Sequence, residues 1–204
     1  MSIPEQTMLP VMEQFYTLQG EGCYQGQAAY FIRLGGCDVG CVWCDVKDSW
    51  EAEKHPKQSI SQLVDAVLLT PAKIVVITGG EPLLHSLNTL TKQLKAEGLR
   101  CHLETSGAHP MSGHWDWICL SPKKFKAPLP ENLPLAHELK VVIYHPSDLD
   151  WADQHAALVS KTCKLYLQPE WDRAEKVTPL IVEKIKTDPR WQLSLQVHKY
   201  IHVP

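Results

Sequence analysis

Seven short apolar runs recur along the chain, and most are followed by a stretch with helical spacing. Ala28–Leu34 (AAYFIRL), Lys73–Thr78 (KIVVIT), Cys101–Thr105, Trp117–Ser121, Glu138–Ile143, Lys164–Gln168 and Trp191–Val197 read as strands. KIVVIT is apolar almost throughout, as a parallel strand covered on both faces requires. Ser59 and Gln62 form a capping box ahead of LVDAVLL. Leu84–Glu97 keeps a helical period and stops at Gly98. Asp148–Val159 and Asp172–Lys186 show the same spacing. Strand–helix alternation of this kind folds as right-handed parallel βαβ units, in an open sheet or a barrel. Two connections break it: Gly107–Asp116 is short and holds Pro110, and Pro122–Ala136 carries four prolines, which break helices. The expected fold is α/β, a trimmed, partial (β/α) barrel with some outer helices missing.

The 204 residues contain no internal repeat, low-complexity tract or linker, so one domain over 1–204 is expected. Hydrophobic residues make up 44% and charged residues 21%, an ordinary globular balance. No apolar run approaches the roughly 20 residues that span a bilayer. MSIPEQTMLPVMEQ lacks the basic-then-apolar pattern of a secretory signal. A cytoplasmic protein without a membrane partner is therefore expected. Net charge is −3 with no basic block, which argues against a nucleic-acid partner.

Polar residues gather where the strands end. KIVVIT runs into Gly79-Gly80-Glu81-Pro82, CHLET into Ser106-Gly107, and WICLS into Ser121-Pro122-Lys123. KLYLQ ends in Gln168-Pro169, and the last strand runs into His198-Lys199. Any one of these reads as a turn with a helix cap. All five on one rim read as a polar mouth at the carboxyl ends of parallel strands, where such folds build active sites. Gly79 and Gly80 would let a ligand approach the backbone. Pro82 pushes Glu81 toward extended geometry, which could aim carbonyls at a cationic amine.

Seven cysteines are present, an odd number that does not suggest a disulfide framework. Cys101 and Cys119 lie in apolar runs and read as small buried hydrophobes. Cys37, Cys41 and Cys44 are different: Cys37-x3-Cys41-x2-Cys44 can bring three thiolates around one metal centre. In a 4Fe–4S cubane, three protein ligands leave one iron open to the amino and carboxylate groups of S-adenosylmethionine. The reduced cluster can then break a carbon–sulfur bond and release a radical able to take an unactivated hydrogen. Such work needs a low potential, which environment sets over a wide range. The alternative is structural zinc, which takes four Cys or His ligands, commonly in two close pairs. No second pair is evident, and although His55 could complete the set, nothing marks it. Trp43 could shield a cluster or pack against adenine.

With the cysteine spacing and TGGEP in order, the chain resembles the radical S-adenosylmethionine superfamily, and within it the 7-carboxy-7-deazaguanine synthases. The resemblance covers nearly the whole chain: FYTLQGEG (Phe15–Gly22), AAYFIRLGGC (Ala28–Cys37), CVWCD (Cys41–Asp45), VVITGGEP (Val75–Pro82), ETSG (Glu104–Gly107), SPK (Ser121–Lys123), LQP (Leu167–Pro169), QVHKY (Gln196–Tyr200) and Pro204. It implies a barrel of the radical S-adenosylmethionine type. It implies conversion of 6-carboxy-5,6,7,8-tetrahydropterin to 7-carboxy-7-deazaguanine with loss of ammonia, on the route to queuosine and other 7-deazapurines. It also implies a 4Fe–4S cluster, S-adenosylmethionine, Mg²⁺, a homodimer and a flavodoxin-like electron donor. Carried over by residue, Cys37, Cys41 and Cys44 hold the cluster. Trp43, Cys44, Asp45, Gly80, Ser121, Pro122 and Lys123 line the S-adenosylmethionine site, which Gln168, Pro169, Glu170 and Trp171 close. Leu18, Gln19, Gly20, Arg33, Thr78, Glu104, His198 and Pro204, through a terminal carboxylate, hold the pterin.

The residues agree independently at one point. The substrate is a carboxylate, Arg33 lies on a strand before the first cluster cysteine, and a guanidinium binds carboxylate in a fork. Arg33 falls between Ile32 and Leu34, and an inward Arg with no anion is costly. One position departs from the family: Val46 stands where Thr typically helps ligate Mg²⁺. It offers no side-chain oxygen to a cation that wants hard ligands, so weak or absent Mg²⁺ stimulation is expected. Glycyl-radical activating enzymes share the cysteine spacing but act on proteins, and a zinc-stabilised binding module is the non-enzyme alternative.

Overall fold

The computed structural model describes residues 8–204. The N-terminal reading above falls partly on residues 1–7, which lie outside the described residues. Nine strands form one sheet in the order β3-β1-β2-β4-β5-β6-β7-β8-β9. Their ranges are β1 (Met8–Leu18), β2 (Ala28–Leu34), β3 (Lys57–Ser59), β4 (Ile74–Gly79), β5 (Arg100–Thr105), β6 (Trp117–Leu120), β7 (Glu138–Ile143), β8 (Lys164–Pro169) and β9 (Trp191–Leu193). From β2 to β9 neighbours run parallel, whereas β1 pairs antiparallel with β2 and β3. The end strands β3 and β9 do not meet, so the barrel is partial, as expected.

Helices α1 (Ile60–Leu68), α2 (Asn88–Ala96), α3 (Asp148–Ala156) and α4 (Ala174–Thr187) follow β3, β4, β7 and β8. The Ser59–Gln62 capping box opens α1, and Gly98 takes a left-handed φ of 74° just beyond α2. The two proline-bearing connections carry no α-helix; Pro130–Leu135 makes only 3₁₀ turns. Three expectations fail. β1 and β3 are strands that the apolar pattern does not predict. The helix over 84–97 begins at Asn88, because Pro82–Leu84 makes a separate 3₁₀ turn. The last strand stops at Leu193, and His198 and Lys199 lie on a short helix, α5 (Val197–Ile201), rather than at a strand end.

The period-2 alternation of the strands divides their side chains between two environments. Ile32, Leu34, Val75, Ile77, Cys101 and Leu103 pack beneath α1 and α2. Leu139, Val141, Ile143, Leu165 and Leu167 pack beneath α3 and α4. The intervening positions, including Arg33, Thr78, Glu104, Lys140 and Gln168, face away from the helices and line a cavity.

Candidate active site

The cavity has a volume of about 290 Å³ and lies where the parallel strands end. Cys37, Cys41 and Cys44 line it together, on the loop that leaves β2. That loop is pinned from β4. Gly80 N–H donates to Leu34 O at 3.0 Å, and Glu81 N–H to Gly36 O at 2.8 Å. A Cβ on Gly80 would come within 2.3 Å of Gly36 O and 2.8 Å of Cys37 Cβ. The missing side chain at Gly80 thus makes room for the cysteine loop, while Gly79 and Gly80 both line the cavity. Glu81 ties the end of β4 to the end of β5. Its carboxylate is buried and accepts from Leu83 N–H at 3.0 Å, the Thr105 hydroxyl at 2.5 Å, Ser106 N–H at 2.8 Å and the Ser106 hydroxyl.

Loops from three strands close around the cysteines. Lys123 donates to Ser121 O at 2.8 Å and lies 5.5 Å from the Trp43 ring centre. Burial lowers the Lys123 pKa. Asp38, next to Cys37, accepts from Lys126 at 2.6 Å and His109 at 2.9 Å, tying the loop to the connections after β5 and β6. From the other side, Lys199 reaches Asp45 at 3.1 Å and sits 5.0 Å from the Trp171 ring centre. His198 packs on Gly20, whose Cβ would meet its ring at 2.2 Å.

Buried charge lies deeper. Lys140 of β7 donates to Glu21 at 2.6 Å and to Glu104 at 2.9 Å. Gln196 donates to the other Glu21 oxygen at 3.0 Å, and Gln19 to the other Glu104 oxygen at 3.4 Å. Although desolvation opposes it, Lys140 and the Gln196 amide hold the Glu21 carboxyl down at about 2.

The profile of the radical SAM superfamily matches residues 31–126. The 7-carboxy-7-deazaguanine synthase of Flavobacterium psychrophilum is 54% identical over 97% of this chain and 93% of its own. That of Synechocystis sp. is 51% identical over 95% and 93%. The chain belongs to the 7-carboxy-7-deazaguanine synthase family. The crystal structure of QueE from Escherichia coli superposes with a TM-score of 0.84 at 34% identity, covering 94% of this chain and 95% of that one.

Every site residue that the family resemblance points to lines the cavity except Pro122, which is buried behind it. Arg33 already has an anion, because its Nε donates to Glu13 at 2.6 Å. Its burial therefore does not by itself demand a ligand, although its terminal nitrogens remain for one. Cys119 is buried as expected, but its thiol faces the Glu138 carboxylate at 3.6 Å, so it is no simple hydrophobe. Sequence reasoning passes over Glu21, Lys140 and Gln196. The available signal is Glu138 and Lys140 two apart in an otherwise apolar strand, which places both charges on one face.

The donor set suits an iron–sulfur cluster. Among the described residues no three His, Cys, Asp or Glu side chains converge as one bound ion requires. A cubane asks for something else, since each thiolate meets its own iron. His55 is engaged elsewhere, with Nε2 2.8 Å from Asp48 O. Burial raises the Cys37 thiol and pushes Cys41 up to about 11, so cluster loading must release protons. Glu170 Oε2 is buried without a hydrogen-bond partner among the described residues, and Glu170 lines the cavity, which suits a ligand that brings a donor.

Proposed function

We propose that this chain converts 6-carboxy-5,6,7,8-tetrahydropterin to 7-carboxy-7-deazaguanine with loss of ammonia, using a 4Fe–4S cluster held by Cys37, Cys41 and Cys44. The observation that carries this is that the three cysteines share one cavity with a guanidinium and a pair of half-buried carboxylates. When bound, the cluster and S-adenosylmethionine supply the means to remove an unactivated hydrogen. The chain's own groups bind, orient and exclude water.

Trp43, Asp45, Gly80, Ser121, Lys123, Gln168, Pro169, Glu170 and Trp171 surround the cysteines and would hold S-adenosylmethionine against the open iron. Glu170 Oε2 is the natural acceptor for one of its donors. Arg33, with Nε spent on Glu13, would offer its two terminal nitrogens to the substrate carboxylate. Thr78, Leu18, Gln19, Gly20, Glu104, His198 and Pro204 would enclose the ring. Burial lowers the His198 pKa, so near neutrality it meets the ring as a neutral imidazole. Val46 lines the same cavity with no side-chain oxygen, so Mg²⁺ stimulation should be weak and Val46→Thr should strengthen it.

The test is anaerobic reconstitution followed by incubation with reductant, S-adenosylmethionine and the carboxytetrahydropterin, read by product mass. Formation of 7-carboxy-7-deazaguanine is expected. Cleavage of S-adenosylmethionine without deazaguanine would overturn the substrate assignment, and a colourless protein carrying one zinc would overturn the cluster.

A further inference from the structure

The charges around Lys140 do not balance. One ammonium, with its side chain only 5% exposed, faces two carboxylates, Glu21 and Glu104. Among the described residues no Lys or Arg other than Lys140 pairs with Glu21 or Glu104. Arg33 pairs with Glu13, Lys123 lies on the cysteine side of the cavity against Ser121 and Trp43, and burial disfavours the charged form of His198. Glu138, on the same face of β7, is raised by burial toward its neutral form and receives Trp117 Nε1 at 3.1 Å and Cys23 N–H at 3.2 Å. Two half-buried carboxylates sharing one ammonium keep acceptor capacity that the donors of a ligand can meet. Glu21 and Glu104 both line the cavity, so a ligand can do so.

Lys140 does more than neutralise. Its two contacts draw a carboxylate from the loop after β1 and one from β5 toward β7, while Gln196 and Gln19 fix the remaining oxygens. Held in this way, the two carboxylates have little freedom to turn away from the cavity. A ring edge carrying adjacent N–H groups, such as an amino group beside a ring N–H, matches a pair of ionised acceptors better than an edge of carbonyls does.

We propose that Lys140 is a positioning residue that holds Glu21 and Glu104 as paired acceptors for the N–H edge of an aminopyrimidinone, and so sets the preference for a pterin over its 2-oxo counterpart. This rests on the pterin reading above and adds to it the group that orients the ring.

The experiment compares reconstituted wild type, Lys140→Met, Lys140→Arg and Glu104→Gln. Each is assayed for KM and kcat on the carboxytetrahydropterin, and for inhibition by the matching lumazine, which carries a carbonyl where the pterin has its amino group. S-Adenosylmethionine affinity and cluster absorbance are measured alongside. Lys140→Met should raise KM about tenfold or more, with a much smaller fall in kcat, and should narrow the pterin-over-lumazine preference. Affinity for S-adenosylmethionine should hold, and Lys140→Arg should recover part of the loss. Glu104→Gln, which keeps shape and replaces an acceptor by a donor, should narrow the preference in the same way and decides the matter should Lys140→Met fail to fold. An unchanged preference, or a parallel loss of pterin, lumazine and S-adenosylmethionine binding, would overturn the proposal. Absence of deazaguanine from the wild type would instead overturn the substrate assignment.

Discussion

Glu81→Gln is a sharp test of how the cavity is held open. The Glu81 side chain is almost wholly buried, and its two oxygens accept four hydrogen bonds. Leu83 N–H and the Thr105 hydroxyl share Oε1; Ser106 N–H and its hydroxyl share Oε2. The hydroxyls can rotate to accept, but the backbone N–H groups cannot. Whichever way the substituted side-chain amide turns, its NH₂ confronts one fixed N–H donor and forfeits that bond, and the others lose their charge assistance. Two bonds to a charged group, at about 1.5–3 kcal/mol each, set a loss of about 3 kcal/mol at the low end. For a chain of this size that lowers the thermal midpoint by about 6–12 °C. Thermal unfolding of the cluster-free protein, followed by circular dichroism, measures it, with Thr105→Val as a milder control that removes one partner. A Glu81→Gln midpoint within about 2 °C of wild type would refute the assignment of Glu81 as the tie between the ends of β4 and β5.

Further expectations follow from neighbouring contacts. Gly80→Ala places a Cβ 2.3 Å from Gly36 O, so iron and sulfide content after reconstitution should fall while helix content stays the same. Lys199→Met breaks the contacts to Asp45 and Trp171 and should weaken S-adenosylmethionine binding about two- to fivefold by equilibrium dialysis. Burial depresses His102 from 6.5 to about 4, so the unfolded chain takes up a proton that the native state refuses as pH falls through that window. Stability is therefore present above about pH 6.5 and lost toward pH 4, by up to about 3 kcal/mol. Urea unfolding of His102→Gln should show a shallower loss over the same range.

What is legible in the sequence follows the strength of each local signal. β2 and β7 begin and end where their apolar runs do. β1 escapes notice because Pro10, Glu13 and Gln14 interrupt its apolar pattern, and its strand character comes from antiparallel pairing with β2. β3 is three residues long, too short for any period to register. The alternation of Trp191–Val197 continues past the strand because Ser194 turns inward: its N–H goes to Leu167 O and its hydroxyl to Gln168. That turn carries α5 across to Gly20, where Val197 N–H meets Gly20 O at 2.9 Å. The cysteine spacing and the strand-end residues locate the cavity, since both depend on short-range order. The Lys140 network cannot be read in this way, because its members come from the loop after β1, β5, β7 and the approach to α5.

The same alternation explains why core and site can be built on one strand without conflict. In β7, Leu139, Val141 and Ile143 carry the packing beneath α3 and α4, while Lys140 and Val142 line the cavity. Adjacent residues therefore serve different ends: truncating Leu139 removes buried apolar area, whereas truncating Lys140 frees two carboxylates from a fixed arrangement. A one-residue slip of β7 would exchange the two sets, burying an ammonium among leucines and turning apolar side chains into the cavity. The register of β7 against β8, from Glu138 beside Lys164 to Ile143 beside Pro169, is thus fixed by the core and specifies the site at the same time. The charged pair at 138 and 140 is tolerated in a buried strand because both residues find partners on the face that the helices leave uncovered.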